Sequence, residues 1–128
     1  MSVISAKDLA LFENACEDLI KETQVRHVAV INKLGKKVAG SFKKGVKPLL
    51  DNEKLTMTYM QLYLDFSMRK EVDDILGPID YIVSRRKNLT MISLPTKNFL
   101  ILITAERDSD DKKIIKKAEE LFDILPYN

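Results

Sequence analysis

The chain has 128 residues, a length typical of a single folded domain. Hydrophobic residues make up 45% of it and charged residues 31%, a composition typical of a globular rather than a disordered chain. The net charge of +2 is too small to indicate a nucleic-acid partner, and the longest apolar run, Phe99 to Ile103, is far too short to span a membrane. We therefore expect one soluble domain over residues 1–128, and its single cysteine, Cys16, favours the reducing cytoplasm.

The N-terminal part of the sequence predicts a helix followed by a β-hairpin. Ser5 is typical of a helix-opening cap, and apolar residues recur at helical spacing through residues 5–22. Val25 to Asn32 and Val38 to Phe42 are rich in β-forming residues. Gly35, between them, supplies the positive φ that a tight turn requires.

A long helix is predicted after the hairpin, beginning at its cap Asp51 and ending at Leu76, before Gly77-Pro78. Three extended runs and a closing helix come next, and the acids at Ser109-Asp110-Asp111 suit the start of that helix. From the helical spacing, we expect this helix to bury Ile114, Ile115, Ala118, Leu121, Phe122 and Leu125. The run Phe99 to Ile103 does not alternate, so we expect a central strand covered on both faces. The predicted order is α-β-β-α-β-β-β-α, with the three runs at Ile79–Arg85, Leu89–Leu94 and Phe99–Thr104.

The long helix carries apolar residues on two opposite faces. At 100° per residue, one stripe suits packing on a sheet and consists of Leu55, Tyr59, Leu62 and Phe66. The opposite stripe consists of Met57, Met60, Leu64, Met68 and Ile75. Either another helix of the same chain covers this second stripe, or it contacts another molecule. We favour the second alternative, a homodimer or a hetero-contact centred on Met60 and Leu64, because exposed methionine-rich faces usually mark binding surfaces.

Residues suited to catalysis are few. The one histidine, His27, lies on a predicted strand and cannot build a histidine metal cluster by itself. No electropositive neighbourhood is evident that would activate Cys16. The acidic run from Glu106 to Asp111 resembles the start of a calcium loop, but Lys112 and Lys113 stand where a ligand and a glycine belong, which favours helix capping. We therefore expect no enzyme activity, no catalytic or metal site and no cofactor.

Two basic stretches are candidates for contact with an anion or an acidic partner. No acidic residue stands between Lys33 and Leu50, and a second cluster falls at a predicted hairpin. If the two converge, they suit an acidic protein, a phosphate or a nucleic-acid backbone. Aromatic residues are not interleaved with the charges, which favours a solvated loop and makes nucleic acid the weaker interpretation. The residues concerned are Lys36, Lys37, Lys43, Lys44, Lys47, Arg85, Arg86 and Lys87.

The chain resembles the roadblock/dynein light chain domain of the wider roadblock/longin class over nearly its whole length. Ile31-Asn32-Lys33-Leu34-Gly35 resembles the first hairpin of that family, and Phe99 to Ile103, followed by an acidic turn, resembles its last strand. The chain is also similar to a group of small archaeal proteins. That second likeness is carried by Met60-Gln61, Met68-Arg69-Lys70, Leu76-Gly77-Pro78, Ser84-Arg85-Arg86 and Met91-Ile92-Ser93.

The roadblock resemblance implies an α+β fold in which a single five-stranded antiparallel sheet has one helix on one face and two on the other. It also implies dimerisation through the middle helix and the neighbouring edge strand, which adds Tyr81 and Val83 to the interface at Met57, Met60, Leu64 and Met68. Such domains commonly serve as non-catalytic platforms for small GTPases or for motor and signalling complexes. Our first hypothesis is therefore a dimeric interaction or regulatory module, with a small GTPase as a candidate partner. The alternative is a ligand-sensing or nucleic-acid-associated domain that uses the lysine-rich loop.

Overall fold

The computed structural model describes residues 4–124, which fold around one five-stranded sheet. The order of elements is the predicted one, with an additional short helix after the long one. The helices are α1 (Ala6–Leu19), α2 (Asn52–Arg69), α3 (Asp73–Leu76) and α4 (Asp111–Leu121). The strands are β1 (Val25–Ile31), β2 (Lys37–Phe42), β3 (Ile82–Arg85), β4 (Thr90–Thr96) and β5 (Phe99–Ala105).

The sheet has the strand order β2-β1-β5-β4-β3, and every neighbouring pair is antiparallel. The central strand is β5, in which Ile103 pairs with Val28 on one side and Ile92 on the other. Every residue from Phe99 to Ile103 is buried, which confirms the predicted central strand. The two edges of the sheet are β2 and β3.

The larger of two hydrophobic cores lies between the sheet and the helices α1 and α4. Phe12 of α1 is fully buried at its centre, with its ring 5.1 Å from that of Phe99 and 6.1 Å from that of Phe122. The buried residues of α4 are among those predicted from the helical spacing, namely Ile114, Ile115 and Ala118. Leu125, also predicted to be buried, lies outside the described residues.

The smaller core lies on the opposite face, where α2 packs against β1 and β5. Tyr59 and Phe66 are buried there, and the stripe predicted to face the sheet does so, with Leu55 and Leu62 packed beside them. One helix therefore covers this face, while two cover the other, as the roadblock resemblance implies. None of the helices formed by residues 4–124 is both long enough and apolar enough to cross a membrane.

The starts of the three long helices are fixed by polar caps. The side-chain oxygens of Ser5, Asp51 and Asp110 each accept the backbone N–H three residues later, at 3.0, 2.8 and 3.2 Å. Each cap satisfies one N–H that the first turn of a helix leaves without a partner. The predicted caps at Ser5 and Asp51 are confirmed, and Asp110 caps α4 as the capping interpretation of the acidic run requires.

Gly35 joins the β1–β2 hairpin to α2. Its φ is +75°, and a Cβ atom at this position would lie 2.6 Å from the Cα atom of Met60. Glycine is required here both for the left-handed backbone and for the close approach of the hairpin to the helix. The predicted role of Gly35 in the turn is confirmed.

Two predicted elements are shorter in the structure. The long helix ends at Arg69, and a 3-10 turn at Lys70–Val72 separates it from α3, so that Ile75 does not continue the outer stripe of α2. Strand β3 begins at Ile82 rather than Ile79, because its pairing with β4 starts only at Ile82 and Ser93. Ile79 packs instead on the smaller core.

Candidate interaction surface

The outer face of α2, which we call the methionine face, is formed by Met57, Met60, Leu64 and Met68. These side chains are 52%, 54%, 62% and 62% exposed, respectively. Within residues 4–124, about half of the surface of each of these residues is left exposed. Apolar patches of this kind usually mark interaction sites, and the flexible thioether of methionine adapts readily to a partner surface.

Exposed apolar side chains continue from the end of α2 towards the edge of the sheet. Val72, Ile75 and Leu76 follow the helix, and Ile75 is the most exposed of them at 85%. Tyr81, directly before β3, is also exposed. In the sequence, exposed apolar side chains therefore continue from the methionine face to the residue before the edge strand, the two elements through which the roadblock resemblance implies dimerisation.

The outer edge of β3 is open within the described part of the chain. The N–H of Arg86 donates to the carbonyl of Leu89 at 2.8 Å, which makes this a hydrogen-bonded pair of the β3–β4 hairpin. Because such pairs alternate along an antiparallel ladder, the backbone groups of Val83 and Arg85 point away from β4. The side chain of Val83 packs on the larger core, on the opposite side of the sheet from α2. Val83 is thus placed to contribute its backbone, rather than its side chain, to a contact that also includes the methionine face.

A groove of about 1000 Å³ lies between α2 and the β3–β4 hairpin. Its walls include Asp65 and Arg69 of α2, which form an ion pair at 3.1 Å. The loop before α2 contributes Leu49 and Leu50. The sheet side and the hairpin contribute Ile82, Met91, Arg86 and Lys87. Sequence reasoning missed this groove, because it arises where α2 leaves the β3–β4 side of the sheet uncovered.

The predicted basic residues do not all come together. Lys36 and Lys37 lie where β2 begins, whereas Arg85 lies at the other end of the sheet and on the other edge, as the strand pairings require. Lys43 and Lys44 follow β2 at the same end as Arg85, but four strand spacings, about 19 Å, separate the two edge strands. The eight basic residues therefore do not form one anion site.

Two of these basic residues stabilise the fold instead. The Lys43 Nζ atom donates to the carbonyls of Glu22 and Thr23 at 2.5 and 3.2 Å. The Arg85 guanidinium donates to the Thr90 hydroxyl at 2.9 Å and to the carbonyl of Arg107, and it pairs with Asp111 at 3.5 Å. Their charges are therefore committed within the chain. Of the eight predicted basic residues, Arg86 and Lys87 line the groove and are exposed.

His27 has a structural environment. It is 1% exposed, its Nε2 atom lies 2.8 Å from the Tyr59 hydroxyl, and its ring lies 4.1 Å from that of Phe42. Burial lowers the pKa of His27 to about 4, so its imidazole is neutral at pH 7. The His27–Tyr59 hydrogen bond ties α2 to β1.

Cys16 is also buried, and this burial raises the pKa of its thiol to about 12, so that it is protonated at pH 7. Among residues 4–124, no three His, Cys, Asp or Glu side chains come together in a way that would hold a metal ion.

Several solved structures have the same arrangement of helices and strands. The gliding protein MglB from Thermus thermophilus is 12% identical, with 96% of this chain and 91% of that one covered and a TM-score of 0.77. A structure of MglB with a tetrameric arrangement is 15% identical, with 95% and 93% covered and a TM-score of 0.74. A roadblock/LC7 domain from Streptomyces avermitilis is 9% identical, with 87% and 91% covered and a TM-score of 0.69. The chain therefore has the roadblock/LC7 fold, which confirms the predicted fold.

The sequence also matches a family model. Residues 1–124 match the family described as "Family of unknown function (DUF6659)", and the protein belongs to that family. No curated protein matches the sequence. The predicted likeness to archaeal proteins stays a prediction.

Proposed function

We propose that the protein is a non-catalytic interaction module that acts as a homodimer, and that the methionine face is its self-association surface. The observation that carries this proposal is the exposure of four large apolar side chains along one side of α2. A twofold symmetric contact uses the same surface of each copy, so both methionine faces contribute to it at once. We propose that the open outer edge of β3, with Tyr81 directly before it, extends this contact.

The energetics favour burial of this face. Removing one large apolar side chain from water contributes roughly 1.5–3 kcal/mol if it was fully exposed, and these side chains are about half exposed. Four such side chains from each of two copies therefore contribute on the order of 8 kcal/mol. That gain is comparable to the free energy lost when two molecules give up independent motion, so further contacts at the edge strand are needed for a stable dimer.

The non-catalytic part of the proposal is supported by the state of the two side chains best suited to chemistry. His27 is neutral and enclosed by Phe42 and Tyr59, and the Cys16 thiol is buried and protonated. We further propose that the dimer acts in the cytoplasm as a scaffold or regulator of another protein. A small GTPase is the partner class that the roadblock resemblance suggests.

The dimer is tested by light scattering after size-exclusion chromatography. We expect twice the chain mass for the wild type and the single-chain mass for Met60→Asp/Leu64→Asp, because the paired faces would then bury charges without partners. The matched control is Ala10→Asp/Asn14→Asp, which places two charges at the same spacing on exposed positions of α1. This control should remain dimeric. A monomeric wild type, or a dimeric Met60→Asp/Leu64→Asp variant, would contradict the proposal.

The partner class is tested by affinity capture from a native lysate, with and without nuclease and with GDP or a non-hydrolysable GTP analogue. We expect a GTPase whose recovery depends on the nucleotide and on an intact dimer. Recovery of nucleic acid that nuclease abolishes would support the nucleic-acid alternative instead. The Ala10→Asp/Asn14→Asp control should capture the same proteins as the wild type.

A further inference from the structure

The end of the groove nearest the β3–β4 hairpin has charges that the chain itself leaves unmatched. Arg86 and Lys87 are exposed, and neither forms an ion pair within residues 4–124. Leu49 and Leu50 line the same groove and are 57% and 39% exposed. A segment that fits this end carries carboxylates for the two cations and apolar side chains for the leucines.

The segment Lys70–Leu76 of the same sequence has this chemistry. Glu71, Asp73 and Asp74 are its acids, and none of them forms an ion pair within the described residues. Its apolar side chains Ile75 and Leu76 are 85% and 77% exposed. No residue of the segment lines the groove of its own chain. The acidic segment and the basic groove end are therefore complementary but do not meet within one copy.

An antiparallel pairing of two β3 strands would bring the acidic segment of one copy to the basic groove end of the other. The outward backbone groups of Val83 and Arg85 alternate with those directed at β4, and Tyr81 is next in the same series. A twofold axis at Val83 pairs Val83 with its own copy and Tyr81 with Arg85, so all three positions form hydrogen bonds. The start of each β3 then lies beside the end of the other.

The pairing of the two β3 strands also brings the acidic segment of one copy near Arg86 and Lys87 of the other. Only residues 77–81 separate it from β3, and five residues span at most about 17 Å. Arg86 and Lys87 follow the other end of β3 directly. The acidic segment of one copy is therefore within reach of the basic groove end of its partner, and symmetry repeats this placement.

We propose that, in the dimer inferred above and resting on it, the segment Lys70–Leu76 of each copy docks at the Arg86–Lys87 end of the other copy's groove. Carboxylates of the segment meet the Arg86 and Lys87 side chains, while Ile75 and Leu76 cover Leu49 and Leu50. The occupant of this part of the groove is thus a second copy of the same chain.

The test uses two complementary charge reversals, Arg86→Glu/Lys87→Glu and Asp73→Lys/Asp74→Lys. In either homodimer, both contacts bring like charges together. In a mixed dimer, one contact is the native pair and the other is the native pair with its signs exchanged, so both are attractive. The matched control is Lys112→Glu/Lys116→Glu on exposed positions of α4, which changes the net charge by the same amount as the first variant.

We expect each variant alone to raise the dimer dissociation constant about tenfold or more in low salt, measured by sedimentation, with a smaller effect in high salt. Native mass spectrometry of the mixed variants should show the mixed dimer well above the half that random pairing gives. The Lys112→Glu/Lys116→Glu control should dimerise like the wild type. Unchanged dissociation constants, or random pairing in the mixture, would overturn this docking while leaving the dimer itself intact.

A monomeric wild type is a separate outcome, which would contradict the proposed dimer and with it the proposed docking. All four positions are at the surface, so we expect folded variants, checked by circular dichroism. Should a reversal unfold the chain, Arg86→Gln/Lys87→Gln serves in its place. This neutral pair should abolish the salt dependence of dimerisation, and a salt dependence equal to that of the wild type would count against the docking.

Discussion

The two faces of the sheet are built from similar strands but are covered in different ways. On one face, α1 and α4 enclose a continuous core around Phe12, Ile101 and Ile103, all of which are fully buried. On the other face, α2 alone covers Leu100 and Leu102 and leaves a groove beside it. The large apolar side chains that remain exposed in residues 4–124 belong to this second side and to the loops and turns that adjoin it.

Because of this difference, the residues that stabilise the fold are largely separate from those available for association. Burial within one chain supplies the favourable free energy of folding, and the face under α1 and α4 has most of it. The face under α2 keeps apolar surface available to another molecule. A substitution on the first face should therefore change folding, while a substitution on the outer side of α2 should change assembly.

The sharpest test of this division compares Phe12→Ala with Leu64→Ala. Phe12→Ala removes a fully buried ring from the larger core and should lower the free energy of unfolding by about 3–5 kcal/mol. Leu64→Ala, at a position 62% exposed, should change it by no more than about 0.5 kcal/mol. Urea denaturation at concentrations that keep the chain monomeric measures both. Similar losses for the two variants would refute the division.

Substitutions at two glycines test how much the contact between the β1–β2 hairpin and α2 contributes to stability. Gly35→Ala forces a side chain against the Met60 backbone in a left-handed conformation, and we expect a loss of about 2–4 kcal/mol in unfolding free energy. Gly45 also has a positive φ, but nothing lies within 4 Å of the Cβ that would be added. Gly45→Ala should therefore cost only about 1 kcal/mol. Equal effects in thermal or urea denaturation would show that the contact with Met60 contributes nothing.

Lowering the pH should reduce the free energy of unfolding, because the buried His27 beneath α2 is neutral in the folded chain. Because burial lowers the folded pKa of His27 from 6.5 to about 4, the unfolded chain binds a proton in this window that the folded chain does not. The contribution of His27 is complete above about pH 6.5 and is lost as the pH falls towards 4, by about 3 kcal/mol. The pH dependence of urea denaturation should be shallower in His27→Gln than in the wild type. An identical slope in both proteins would exclude His27 as its source.

Much of the fold follows from local patterns in the sequence. The caps at Ser5 and Asp51, the turn glycine Gly35 and the unalternating run from Phe99 to Ile103 each have one strong physical interpretation, and the structure agrees with all of them. The sheet-facing stripe of α2 was predictable for the same reason, since helical periodicity alone identifies it.

The features that sequence reasoning missed depend on distant contacts. His27 and Tyr59 lie 32 positions apart, and no local pattern joins them. The end of α2 at Arg69 was missed because the acids that follow are ordinary helix residues, while the backbone turns at Val72. The placement of the Val83 side chain on the larger core, away from the methionine face, depends on the register of β3 with β4. The methionine face as an interface, and the basic residues as a binding site, stay predictions.

The order of the strands has a consequence for how far assembly can proceed. A sheet has two edges, and a protein that pairs through both of them grows into filaments. Here β2 begins at Lys37, next to Lys36, and Lys44 lies two residues after its end, so a second β2 brought alongside in the antiparallel direction would meet like charges. Growth at that edge is disfavoured, and only β3 remains open for pairing. Assembly through β3 should therefore stop at a closed pair.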